Sequence, residues 1–200
     1  MTNLEIINLL QRITGITAFA LITLQVFLST DRKYLRFHMI SGIFAYTFIL
    51  LHPLLFVIYR YFLSGEIDPF YVFVDFCVMC GNNKYEWFLS LGRFAFYIFT
   101  IAVIVAKYKQ SLASFSGRNG FLLFGKKVDQ WLAVNWRKLH MLNYLAFIFV
   151  SAHSINVGTD VTKPWFMIFF WFCQAIFMYA VVKRLREVYL NFKKFLPQVK

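Results

Sequence analysis

Apolar residues in this chain fall into five long runs, separated by stretches that gather the charged positions. The runs are approximately Leu9–Leu28, Arg36–Phe62, Leu89–Ala106, Leu139–Asn156 and Trp165–Val182. Each is close to the roughly 20 residues that a helix needs to cross a bilayer. The pattern predicts an all-α membrane protein with about five transmembrane helices in a bundle. Residues 1–182 form the membrane domain, and residues 183–200 form a basic cytoplasmic tail. The second and fourth runs pair roughly in character, and no sharper internal repeat stands out.

Composition narrows the class. Of 200 residues, 60% are hydrophobic and only 15% charged, more apolar surface than a soluble domain can bury. The first apolar run is preceded by Glu5 rather than a basic segment, so no cleavable signal peptide is expected. The net charge of +12 fits basic cytoplasmic loops better than nucleic acid. Arg32, Lys33 and Arg36 follow the first run. Lys107, Lys109, Arg118, Lys126, Lys127, Arg137 and Lys138 follow the third, and Lys183, Arg184, Arg186, Lys193, Lys194 and Lys200 follow the fifth. The loop after the second run carries Glu66, Asp68, Asp75 and Glu86 against Arg60 and Lys84, and the last loop carries Asp160 and Lys163. The positive-inside rule then places the N-terminus outside and the C-terminus in the cytoplasm of a multi-pass protein of the cell (inner or plasma) membrane. "FGKKVDQWLAVNW" (Phe124 to Trp136) reads as an interfacial helix on the cytoplasmic surface, and the tail "VKRLREVYLNFKKFL" has the same character. Both suit anionic lipid, with docking of a cytoplasmic partner as the alternative.

Cysteine adds little. A lone C-x2-C at Cys77 and Cys80 falls short of the four ligands of a structural zinc site; it permits a disulfide across the predicted outer loop without requiring one. Cys173 reads as a packing residue in an apolar helix.

Histidine changes the picture. The chain has four, and all lie in apolar runs: His38 and His52 in the second, His140 and His153 in the fourth. Separations of 14 and 13 residues correspond to about 20 Å of helix rise. With both helices running from inside to outside, His38 and His140 share the inner depth, and His52 and His153 the outer. One imidazole from each helix at each depth suits two stacked haems, since haem iron takes histidine axial ligands. A single membrane histidine is more often a satisfied polar group or a proton-relay member, but here every histidine joins the pattern. Fourteen residues return a side chain to nearly the same face, whereas thirteen leave it about 140° away. The fourth helix is therefore expected to tilt, bulge or break, or else the haems sit toward different flanks. Pro53, directly after His52, predicts a kink.

Arg12 and Arg93 lie in apolar surroundings near the outer face. Snorkelling to headgroups stands against a salt bridge to haem propionates or a positive lining for an anionic acceptor. On the inner side, Lys33, Arg36, Arg137 and Lys138 flank His38 and His140 and are placed to meet the inner propionates. Gly42, four residues after His38, would let a flat macrocycle approach the backbone. Phe44, Tyr46, Phe48, Tyr144 and Phe147 fall between the two histidine depths; with 21% aromatic residues, plain packing is their default role.

"QRITG", "RFHMISGIFAYTFILLHPLL", "LGRFAFYIF" and "NWRKLHMLNYLAFIFVSAH" resemble the ferric reductase-like transmembrane domain, a superfamily that includes NADPH oxidases, ferric reductases and the bacterial haem subunit of the periplasmic methionine sulfoxide reductase system. The resemblance spans nearly the whole chain. It implies two b-type haems, with His38 and His140 as the inner pair and His52 and His153 as the outer, and electron flow from a cytoplasmic flavin or nicotinamide donor to an acceptor outside. The departures matter as well. No flavin- and nicotinamide-binding module follows the last helix up to Lys200, so a separate donor protein is expected. The extra N-terminal helix of six-helix members is not seen. Phe56 stands where superoxide-forming oxidases often carry a further histidine. Size and the missing flavin module favour the methionine sulfoxide reductase type, whereas His38 favours the full two-haem pattern.

The resulting expectation is transmembrane electron transfer through two bis-histidine haems b, from a separate cytoplasmic or quinol donor to an extracytoplasmic acceptor, as an oxidoreductase subunit. One haem in place of two is the variant, with flavin or quinone reached through a partner. A cytochrome b subunit of a larger respiratory or redox complex, a quinol-linked subunit and a haem-free proton or metal transporter are the alternatives.

Overall fold

A computed structural model describes residues 2–77, 83–115 and 126–195. Within them, Arg32 and residues 108–115, 126–130, 132–134, 136–137, 191 and 193–195 are described by their backbone alone. The order is α1 (Asn3–Leu28), a single 3-10 turn (Arg32–Tyr34), α2 (Leu35–Ser64), α3 (Pro69–Phe73), α4 (Lys84–Phe115), α5 (Lys126–Val157) and α6 (Pro164–Phe195). No strand occurs among the described residues. Four of these helices are long and apolar enough to cross a membrane: α1, α2, α4 over Lys84–Lys107 and α6 over Pro164–Leu190.

The helices outrun the apolar segments that announce them. α1 begins six residues before Leu9, where Thr2 caps it and exchanges reciprocal hydrogen bonds with Glu5, a capping box. α2 ends at Ser64 because Gly65 takes a φ of 75°, a left-handed stop that suits glycine. The backbone of "KKVDQWLAVNW" is the first part of α5, and that of the basic tail continues α6 to Phe195. Lys, Arg, Leu and Glu are good helix formers, so a helix that leaves lipid need not stop there. Neither segment is a separate surface helix.

α5 is as long as its neighbours but is not among the four apolar spans. Its first half carries Lys126, Lys127, Asp129, Arg137, Lys138 and His140, and its second half carries Asn143, His153 and Asn156. The side chains that make this helix chemically interesting also lower its hydropathy.

Two compact units divide the chain: Met1–Leu55 with Thr159–Lys200, and Phe56–Gly158. In the first, α1 packs along α6. Phe19 stacks on Phe170 at 5.8 Å, Phe27 meets Tyr179 at 6.3 Å, and Lys183 Nζ donates to Thr30 Oγ1 at 3.3 Å. Partner numbers rise together, so the two helices run parallel. Their shared core includes Ile22, Val26, Phe166, Cys173 and Phe177. Within this unit α2 runs antiparallel to α1, and Ala45 is its one buried residue among those described. Phe37, 70% exposed, and Phe44, 59% exposed, belong to a surface that water would not tolerate and lipid would.

In the second unit, α4 and α5 lie antiparallel. Their interface is built on Ala95, Ala102 and Ala146, all fully buried, with Phe99 and Phe147. Small residues let two membrane helices approach closely. Residues 71–77 fold back over α4: Tyr97 Oη donates to the Phe73 carbonyl at 3.0 Å, and Ser90 Oγ accepts from Cys77 N at 2.9 Å. Cys77 is disulfide-bonded and Cys173 is a free buried thiol; Cys80 lies outside the described residues.

Candidate functional site

Each histidine sits on the second helix of an antiparallel pair and turns its ring toward the backbone of the first. In the first unit, Nδ1 of His52 lies 3.0 Å from the Gln11 carbonyl, and Nδ1 of His38 lies 3.2 Å from the Gln25 carbonyl. In the second, Nδ1 of His153 lies 3.0 Å from the Phe88 carbonyl. His140 takes its backbone contact from Ala102. The histidines of α2 are 14 residues apart, as are the carbonyls of Gln11 and Gln25 that receive them. Phe88 and Ala102 are also 14 residues apart.

A carbonyl only accepts, so in these bonds Nδ1 carries the proton and the ring's lone pair is on Nε2. That is the tautomer a metal-ligating imidazole adopts when a backbone carbonyl orients it. The expected tilt, bulge or break in α5 resolves simply: the helix is α-helical throughout from Lys126 to Val157, with no π-turn, and both of its histidines reach α4.

Two glycines lie against the rings of His52 and His153. A Cβ added at Gly15 would lie 2.8 Å from His52 Cε1, and one at Gly92 would lie 2.7 Å from His153 Nδ1. Each glycine follows its carbonyl, Gln11 or Phe88, by one helical turn. Gly42 behaves differently. Its added Cβ would meet Gln25 Oε1 at 3.2 Å, and Gln25 Nε2 donates to Ser41 Oγ at 2.5 Å. In the structure Gly42 makes room for the Gln25 side chain.

The arginines have protein partners. Arg12 makes a two-pronged ion pair with Asp160, with Nε at 2.8 Å from Oδ2 and the second bond from Nη2 to Oδ1. Arg93 is buried and donates to three carbonyls, at 2.7 Å to Tyr71, at 3.1 Å to Val72, and to Asp75. In the structure one of these arginines is thus held by Asp160 and the other by main chain. Tyr71 lies between two cations: the Arg60 guanidinium is 3.8 Å from its ring centre and that of Arg93 is 5.3 Å away. Its hydroxyl donates to Glu86 at 2.7 Å. Burial, with the Glu86 carboxylate beside it, pushes the Tyr71 phenol up to about 12.

At the other end, Arg36 and Lys138 are exposed, and the Arg137 side chain lies outside the described residues. Lys33 Nζ sits 4.8 Å above the Tyr34 ring and 3.4 Å from Asp31. The Lys33 N–H also donates to Asp31 at 3.0 Å and holds that carboxyl below its usual range.

Among the described residues, no three His, Cys, Asp or Glu side chains converge as they would on a bare metal ion. A haem makes a smaller demand, because its porphyrin supplies four equatorial nitrogens and the protein adds axial ligands. Oriented single imidazoles backed by glycine fit that demand. The carbonyls and the two glycines were not legible as site residues, although "QRITG" and "LGR" carried the glycine signal. Compared with models of known families, with curated proteins and with solved structures, the chain matches none.

Proposed function

We propose that this protein is a membrane electron-transfer subunit whose four histidines are axial ligands of two b-type haems, passing electrons from a separate cytoplasmic or quinol donor to an extracytoplasmic acceptor. One observation carries the reading: Nδ1 of His38, His52 and His153 is directed at a backbone carbonyl of the preceding helix, which supports the tautomer whose Nε2 lone pair a ligating imidazole uses. A bound haem supplies one-electron chemistry, and with two imidazoles per iron it does so without an open coordination position. The protein's part is to hold each ring in a fixed plane and tautomer, to exclude water with aromatic side chains, and to hold two ligand levels about 20 Å apart along each helix.

The reading counts α5 as a fifth span. Its contacts with Phe88 and Ala102 lay it along α4 for roughly the same 20 Å, within a helix that is itself apolar enough to cross. Five spans with basic residues after α1, after α4 and along α6 give an external N-terminus and a cytoplasmic C-terminus.

The test is purification in detergent from cells with ample haem supply, followed by oxidised and dithionite-reduced spectra and a haem-to-protein ratio. The expected result is two low-spin haems b per chain. On the pairing expected from the sequence, His38→Ala and His140→Ala each remove one haem, and His52→Ala and His153→Ala the other. Protein that folds and carries no haem overturns the proposal.

A further inference from the structure

Two of the imidazoles, His52 and His153, each rest against a glycine as well as donating a hydrogen bond. His52 donates from Nδ1 to the Gln11 carbonyl at 3.0 Å, and its ring lies against Gly15, one turn further along α1. The nearest ring atoms are only 2.8 and 2.9 Å from where a Cβ would be. His153 repeats the arrangement in the other unit, with the Phe88 carbonyl at 3.0 Å and Gly92 one turn along α4, where a Cβ would meet Nδ1 at 2.7 Å and Cε1 at 2.9 Å. Carbonyl and glycine are four residues apart in both helices, so they lie on one face, one above the other. The carbonyl fixes one edge of the ring and the bare backbone fixes its plane. A ring pushed away from the glycine must lengthen its Nδ1 bond, because both supports belong to the same rigid helix.

We propose that Gly15 and Gly92 are positioning residues for His52 and His153, each giving the imidazole a flat backbone surface that sets its ring plane for axial ligation. The ligation itself rests on the function proposed above; the seating of the rings does not. His38 has the carbonyl without this device: the glycine at its level, Gly42, faces the movable end of Gln25. The His52 and His153 rings each have this second support from a glycine.

The experiment compares Gly15→Ala, Gly92→Ala and Gly42→Ala in the full-length protein with two readouts. The first is the low-spin ferric EPR spectrum, whose g-values follow the orientation of the axial imidazole planes, together with the midpoint potential. Gly15→Ala shifts or abolishes the component that His52→Ala removes, Gly92→Ala does the same to the component that His153→Ala removes, and Gly42→Ala leaves both in place. The second readout needs no haem. In haem-depleted protein with 15N-labelled histidine, Gly15→Ala weakens the signature of the Nδ1-protonated tautomer at His52. The thermal midpoint lost in Gly15→Ala is partly regained when His52→Ala is added, because the clashing ring is gone. Glycine variants that match Gly42→Ala in both readouts overturn the inference. A protein without haem that still shows the tautomer shift and the rescue removes the electron-transfer reading and leaves the seating intact.

Discussion

"QRITG" in α1 and "SLGR" in α4 put the same residue types beside His52 in one unit and His153 in the other. The glycine does the same thing in both: it receives an imidazole face that a methyl group would displace. The arginine does not. Arg12 finds a carboxylate 148 positions away, Asp160, which is itself 5% exposed. Among the described residues, Arg93 meets no carboxylate and is satisfied by the carbonyls of Tyr71, Val72 and Asp75 and by Ser90 Oγ at 3.5 Å. A glycine's role is a matter of shape and follows from the helix beside it. An arginine's role is a matter of which acceptors the chain brings near, and the two units bring different ones. One unit holds its arginine in an ion pair, the other in folded-back main chain.

The largest effect separating the two should come from Arg12→Ala. It strands the buried Asp160 carboxylate, and breaking such a pair costs about 3 kcal/mol even at the low end of the range for buried pairs, as befits an Arg12 side chain that is 37% exposed. Denaturant unfolding in detergent should show that loss, and Asp160→Asn in the same chain should recover most of it. Failure of that rescue would mean that the pair is not what Asp160 depends on.

Arg93→Ala is expected to cost about 2 kcal/mol, since it removes charged donors from several carbonyls. The damage should appear as faster amide exchange within residues 71–77. No carboxylate neutralisation should repair it, and Arg93→Lys should repair it poorly, because an ammonium lacks the planar fork that reaches several carbonyls at once. Repair by lysine would erase the distinction between the units.

The smallest effect is a pH dependence confined to the second unit. The folded Tyr71 phenol titrates at about 12 and the unfolded one at about 10. Between these values the unfolded chain has lost a proton that the folded chain keeps, so stability falls as pH rises through that window and is unaffected below it. Tyr71→Phe should flatten this slope in thermal unfolding followed by far-UV circular dichroism. A slope unchanged in Tyr71→Phe would assign it elsewhere.

The apolar runs located every long helix but not the ends. Leu9 and Val182 are where lipid-compatible sequence begins and stops, whereas capping at Thr2 and helix-forming basic residues decide where α1 begins and α6 ends. The four histidines were legible because polar rings in apolar helices are few and their spacing is one-dimensional. Their backbone acceptors were not, because every residue has a carbonyl and nothing in Gln11, Gln25, Phe88 or Ala102 marks it as the one to be used.

By itself, then, the sequence determined an all-helical chain rich in membrane-compatible helices, a positive end, and imidazoles at two levels on two helices. These are local properties of residue type, counted along a helix with a known rise. Only the tertiary structure decided which carbonyl fixes each ring, that Gly15 and Gly92 lie beneath two of them, that Gly42 serves Gln25, and that Arg12 and Arg93 answer to different acceptors. Those choices depend on the register in which helices meet, and register is set by packing over a whole interface rather than by any residue read alone.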